Sequence, residues 1–160
     1  MPQELEGKAV STPGRWAIVV ARYNESVTRN LLRGALTTLA EHGVADEAVM
    51  VVWVPGAWEV SLLASRVARS GQFNAVICLA AVIRGETTHD QNINQQVSRS
   101  LGQLAVDTQV PILFGVLTCQ TLEQAIQRSG GRQGNKGSEC ARAALQMVNL
   151  LQQLPTPEAS

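Results

Sequence analysis

The apolar run AVICLAAVI at residues 75–83, followed at once by RGETTH at 84–89, decides how this chain folds. The run is too short for a buried helix and well sized for a strand buried on both faces. The composition then changes within one residue to charge, glycine, hydroxyls and an imidazole. Ile93, Val97 and Leu101 follow at helical spacing. Strand, polar turn, helix is the unit in which α/β proteins hold ligands: the strand's end borders a crevice and the helix's first amides lack partners. Those amides and the helix dipole favour an anion such as phosphate. His89 brings to the same turn the side-chain type that ordinarily titrates near neutral pH. A turn of this kind is also, in many loops, no more than a capped connection. The neighbouring segments decide between the two.

Upstream, Trp16–Val20 reads as the first strand, ending in Arg22-Tyr23-Asn24-Glu25. A helix then carries Val27, Leu31, Ala35 and Leu39 on one stripe until Gly43. Ala48–Val54 is the second strand, ending in Pro55-Gly56-Ala57-Trp58-Glu59, and its helix presents Val60, Leu63, Ala64 and Val67. Downstream, the helix after the deciding strand runs to about Thr108, and Pro111–Leu117 is the fourth strand. Thr121 and Gln124 form a capping-box pattern opening a short helix to about Arg128. The glycine-rich stretch 129–137 reads as a tight link, and a last helix runs from about Ser138 to Leu154. Residues 1–14 read as an N-terminal arm in which Lys8–Ser11 is a short strand needing a partner sheet, its own or a neighbour's. Residues 155–160 read as a flexible tail. Four apolar strands alternating with helices make a three-layer α/β sandwich, a parallel sheet covered on both faces, in one domain spanning 1–160.

Thirteen basic and thirteen acidic residues cancel, so no basic stripe points to nucleic acid. No apolar run approaches membrane-spanning length, and the first residues lack the pattern of a signal peptide, so the expected location is the cytoplasm. Cys78, Cys119 and Cys140 have no paired spacing and read as small buried thiols. No cluster has metal-ligand spacing, and no nucleophile elbow occurs. The glycine run 131–137 lacks the Gly-Lys-Ser/Thr end of a phosphate loop.

The strand ends together supply Arg22, Tyr23 and Asn24; Ala57, Trp58 and Glu59; residues 84–89; and Thr118. Aromatic residues are only 4% of the chain, yet Tyr23 and Trp58 lie at this rim with Phe114 inside the fourth strand. A flat ligand stacked on an aromatic face accounts for that placement, although Trp58 or Phe114 alone reads as ordinary core. His89 has the chemistry of a proton carrier, and a lone histidine at a helix start equally serves as a structural hydrogen bonder. His42, before Gly43 at a helix end, suits the dipole and receives no chemistry.

Five motifs, RYNE at 22–25, VPGAWE at 54–59, VIRGETTH at 82–89, FGVLT at 114–118 and GNKG at 134–137, resemble the 6,7-dimethyl-8-ribityllumazine synthase family. The likeness runs from about Gly7 to Leu150 with the motifs in the family's order. It implies a flavodoxin-like fold and condensation of 5-amino-6-(D-ribitylamino)uracil with 3,4-dihydroxy-2-butanone 4-phosphate, the penultimate step of riboflavin synthesis, with no metal or organic cofactor. Carried over by position, Tyr23 stacks on the pyrimidine, and Ala57, Trp58 and Glu59 bind the ribityl chain. The backbone of Ala81, Val82 and Ile83 meets the uracil, Glu86 and Thr87 form the phosphate-side turn, and His89 transfers protons. Phe114 and Arg128 reach a neighbouring subunit's site, Arg128 binding phosphate, and Lys136 lies near the same pocket.

Two positions depart from the family's pattern. Ala80 stands where glycine is common, and Asp90-Gln91-Asn92 replaces an aromatic, an acid and a second aromatic. Asp90 is therefore expected to replace the missing acid, holding imidazolium charge and raising the pKa of His89. The resemblance further implies a homo-oligomer of pentamers with sites at subunit interfaces and the N-terminal segment added to the adjacent sheet. The compact link at 130–137 favours a hollow icosahedral shell, and riboflavin synthase is a candidate partner. Two rivals stand against this reading: a non-catalytic flavin-binding or shell-forming relative, and a flavodoxin-like signalling or nucleotide-binding domain. The second wants acidic residues or a phosphate loop after the first strand, where Arg22-Tyr23-Asn24 offers neither.

Overall fold

The apolar runs become four parallel strands in a computed structural model that describes residues 1–84 and 89–158. The elements in chain order are β1 (Arg15–Ala21), α1 (Glu25–Glu41), β2 (Val49–Val54), α2 (Ala57–Arg69) and β3 (Phe73–Ile83). There follow α3 (His89–Thr108), β4 (Ile112–Cys119), α4 (Leu122–Gln127), a hairpin of β5 (Ser129–Gly131) and β6 (Gly134–Asn135), and α5 (Lys136–Gln153). The four-stranded sheet has the order β2-β1-β3-β4, all parallel, with helices on both faces, which is the three-layer α/β architecture expected.

Alternation along each strand sends side chains to two separate cores. On one face, Ile18, Val20, Ile77, Leu79 and Leu117 pack with Val27, Leu31 and Leu39 of α1 and with Ala141, Ala144 and Leu145 of α5. On the other, Ala17, Val19, Val76, Cys78, Ala80 and Val116 meet Val60, Ala64 and Val67 of α2 and Val97, Leu101 and Leu104 of α3. The close approach of α1 and α5 depends on Gly137, because a Cβ there would run into the Leu31 carbonyl. All three cysteines are buried and free.

Two segments differ from the sequence reading, and a third, Lys8–Ser11, does not pair with its own sheet. The link at 129–137 contains the antiparallel β5–β6 hairpin, not a plain turn. Gln127 organises it: its carbonyl accepts from the Gln133 N–H at 2.9 Å and its side-chain oxygen from the Arg132 N–H at 2.8 Å. Helix α5 starts at Lys136, before the expected Ser138, because the Asn135 side chain caps it by accepting from the Ser138 N–H at 3.1 Å. Lys8–Ser11 forms no strand within the chain. The arm instead lies along α5, with Gly7 against the Gln146 carbonyl and the Lys8 N–H donating to Asn149 Oδ1 at 2.8 Å. Among the described residues, strand β2 pairs with β1 alone, and Val49–Trp53 are all partly exposed at that edge. Among the described residues no helix is long and apolar enough to cross a membrane.

Candidate functional site

The strand order reverses between β1 and β3, since the chain leaves β1 for β2 on one side and crosses back to β3 on the other. Ligand crevices of open α/β sheets form at the carboxyl ends beside such a switch point. Here β3 outruns its neighbour. The last β1 pairing is Val20↔Leu79, whereas pairing with β4 continues to Ile83↔Cys119. The backbone beyond Leu79 is therefore flanked by a strand on one side only. Ala81 and Val82 bury their side chains in the two cores, so backbone is what this strand end offers a ligand.

The turn after β1 forms one wall. Backbone bonds from Arg22 N–H to the Val54 carbonyl (2.8 Å) and from Tyr23 N–H to the Pro55 carbonyl (2.9 Å) tie the ends of β1 and β2 together. The Arg22 and Arg29 guanidiniums lie over the Trp53 ring, 4.8 and 5.1 Å from its centroid. Glu25 bridges both, 2.8 Å from Arg22 and 3.3 Å from Arg29. Arg29 first, and Arg22 with it, holds the Glu25 carboxyl below its ordinary range. With the turn braced in this way, Tyr23 stands 73% exposed.

The first turn of α2 forms the second wall. Gly56, in extended conformation, precedes Ala57, Trp58 and Glu59, and Glu59 lies in the first turn, where a carboxylate suits the helix dipole. Trp58 is 57% exposed, so neither it nor Tyr23 is core. Tyr23, Ala57, Trp58, Glu59 and the end of β3 are thus brought to one rim.

The remaining sequence-derived residues lie elsewhere. Phe114, 37% exposed, and Thr118 lie on the same face of the outer strand β4, and the Thr118 hydroxyl is 2.9 Å from Asn94 Oδ1 of α3. Arg128 ends α4 and, with Thr118, Cys119, Gln124, Gln127 and Gln133, lines a cavity of about 320 Å³ on the β4 side, away from Tyr23, Trp58 and Glu59. The Arg128 carbonyl accepts from Lys136 N–H at 2.9 Å, which joins the start of α5 to the end of α4. Lys136 also bears on Cys140: burial raises that thiol to about 11 against the opposing effect of the lysine's charge. Glu86 and Thr87 lie outside the described residues. For His89 the backbone opens α3, and Asp90 is buried in the same first turn.

One residue at the site gave little sign of itself in the sequence. The Asn24 side-chain amide donates to the Ala81 carbonyl at 2.9 Å across 57 residues of chain. Its backbone is left-handed (φ 63, ψ 46), a conformation that asparagine tolerates better than most residues and the only local hint of its use. Among the described residues no group of three histidine, cysteine or acidic side chains is placed to hold a metal ion.

A family model described as 6,7-dimethyl-8-ribityllumazine synthase matches residues 13–152, from the end of the arm to the last turn of α5. That match covers the sheet, both helical layers and every part of the rim, and the chain therefore belongs to the 6,7-dimethyl-8-ribityllumazine synthase family.

Proposed function

We propose that this chain is a transferase that condenses 5-amino-6-(D-ribitylamino)uracil with 3,4-dihydroxy-2-butanone 4-phosphate, giving 6,7-dimethyl-8-ribityllumazine, phosphate and water. The observation that carries the reading is the meeting of exposed Tyr23 and Trp58, the Glu59 carboxylate and the one-sided end of β3 at the switch point of a chain in this family. The aromatic face of Tyr23 suits a pyrimidine, and the first turn of α2 with Glu59 suits a chain of hydroxyls. The backbone of Ala81–Ile83 offers the ring its amide and carbonyl groups. Glu86, Thr87 and the start of α3 take the phosphate end, and His89 moves protons.

The substrate's 5-amino nitrogen attacks the ketone carbon and water leaves to give an imine. Phosphate then departs by elimination, and the ribitylamino nitrogen closes the second ring with loss of water. These steps exchange only protons, water and phosphate, so side chains suffice as acid and base. Holding amine against carbonyl contributes up to roughly 7–11 kcal/mol of barrier lowering. A positioned imidazole adds about 10²–10⁴-fold.

Phe114, Arg128 and Lys136 enter the reading through a second protomer. Phe114 and Arg128 lie toward the β4 side, and the Arg128 cavity is lined by Thr118 and Cys119 and not by Tyr23, Trp58 or Glu59, which supports assigning both residues to the crevice of a neighbour. The open β2 edge, partly exposed from Val49 to Trp53, is the kind of edge that needs a cover. The Lys8–Ser11 segment of an adjoining copy supplies it in a cytoplasmic assembly of pentamers, stacked into a shell, each protomer being one domain. Purified protein mixed with both substrates tests the reaction: the fluorescent lumazine accumulates with stoichiometric phosphate. Tight binding of the ribityl compounds without product would favour the non-catalytic relative instead.

A further inference from the structure

The geometry points to Asn24 as a positioning residue for the pyrimidine, an inference that rests on the function proposed above. In a parallel ladder, each strand end is continued by the next N–H of its neighbour. Had β1 run on past Ala21, the next N–H to reach β3 after the Val20↔Leu79 pair and Ala21 would be that of Tyr23. It is spent elsewhere, on the Pro55 carbonyl at 2.9 Å. The Asn24 side-chain amide takes the vacated role and donates to the Ala81 carbonyl at 2.9 Å.

The assignment has a cost that local structure alone does not repay. An asparagine at the N-cap of a helix ordinarily gives its side-chain oxygen to a first-turn amide. Asn24 makes no such bond, and only its backbone carbonyl serves α1, accepting from Val27 and Thr28 N–H at 2.9 and 3.0 Å. It also holds a left-handed backbone that side chains rarely adopt. The exchange has two effects on the rim. Turning the Tyr23 N–H to Pro55 sets the tyrosine outward, beside the crevice. The amide link holds the end of β3 at its ladder position on the side where β1 no longer supports it, so the backbone beyond Ala81 meets a flat ring at a set height. Asn24 thus couples the stacking residue to the hydrogen-bonding strand end, and it acts through both without touching the reacting atoms.

Three variants separate the parts. Asn24→Gly keeps the left-handed backbone and removes the amide; Asn24→Asp keeps the shape and removes the donor; Asn24→Ala loses backbone and amide together. The readouts are calorimetric binding of a ribitylaminouracil lacking the 5-amino group, KM for each substrate, and the thermal midpoint. Asn24→Gly and Asn24→Asp are expected to weaken pyrimidine binding about tenfold. KM for the butanone phosphate should stay within about twofold, since only the pyrimidine end is disturbed. A wild type that binds the pyrimidine while Asn24→Gly binds it equally well overturns the positioning role alone. Equal rises in both KM values with a fall in thermal midpoint also overturn it, in favour of a purely structural bond. A wild type that binds no pyrimidine overturns the function and the positioning role together.

Discussion

At the scale of single residues, the proposed function makes the rim a division of labour between groups that touch the ligand and groups that hold those in place. If His89 moves protons as proposed, His89→Ala is expected to slow turnover by about 10²–10⁴-fold and still leave measurable product, because holding two reactants together does not depend on it. Complete loss of turnover with substrate binding intact, in steady-state and calorimetric assays, would contradict this. Buried Asp90 follows His89 in sequence, and if it supports the imidazolium as expected, Asp90→Asn should move the acidic limb of the pH–rate profile to lower pH. An unchanged profile would show that the aspartate does not support the imidazolium. The Glu25 bridge makes a separate prediction. Its folded pKa lies below the ordinary 4.5, so its contribution to stability is present above that value and fades as pH falls through the folded pKa. Wild type should therefore exceed Glu25→Gln in thermal midpoint at neutral pH, by the small margin of an exposed ion pair, and lose that margin in acid.

At the scale of elements, packing between helices α1 and α5 depends on an absent side chain. Gly137→Ala would push a methyl into the Leu31 carbonyl, which is backbone and cannot swing aside. We expect a loss of about 1–3 kcal/mol in denaturant unfolding, and an unchanged midpoint would show that the helices part easily. The same elements show what sequence can convey. The four strands and the helices behind them were legible because burial on two faces leaves apolar runs and burial on one leaves stripes. The β5–β6 hairpin was not legible, since its glycines carry no strand pattern and the Gln127 side chain that shapes it lies outside the hairpin. The placement of Lys8–Ser11 was half legible: its need for a partner showed, but not its amide contacts to α5. Tyr23, Trp58 and Glu59 could be placed at the rim because they lie within a few residues of a strand's carboxyl end. The Asn24–Ala81 bond could not, because a contact across 57 residues has no local signature.

At the scale of the whole molecule, the cores and the site make different demands. The cysteines belong to the cores: burial raises Cys140 to about 11, and it pushes Cys78 well above the ordinary thiol value. At pH 8 both should resist a thiolate-specific reagent in the native protein and react fully once it is unfolded; rapid native labelling would mean that the sheet opens readily. The site belongs to the surface, where exposed aromatic residues sit at the rim and Phe114 sits on the outer strand β4. Apolar surface of this kind marks a place to be covered by substrate or by another protomer. On the proposed function, the crevice after β1 and β2 is completed by Phe114 and Arg128 of an adjoining copy. Co-assembly of two crippled variants tests it most directly, Glu59→Gln for the crevice and Arg128→Ala for the outer half-site. Unfolded together in equal amounts and refolded, they should regain roughly a quarter of wild-type activity, because one in four interfaces joins two intact halves. Activity no greater than the sum of the separately refolded variants would contradict a shared site.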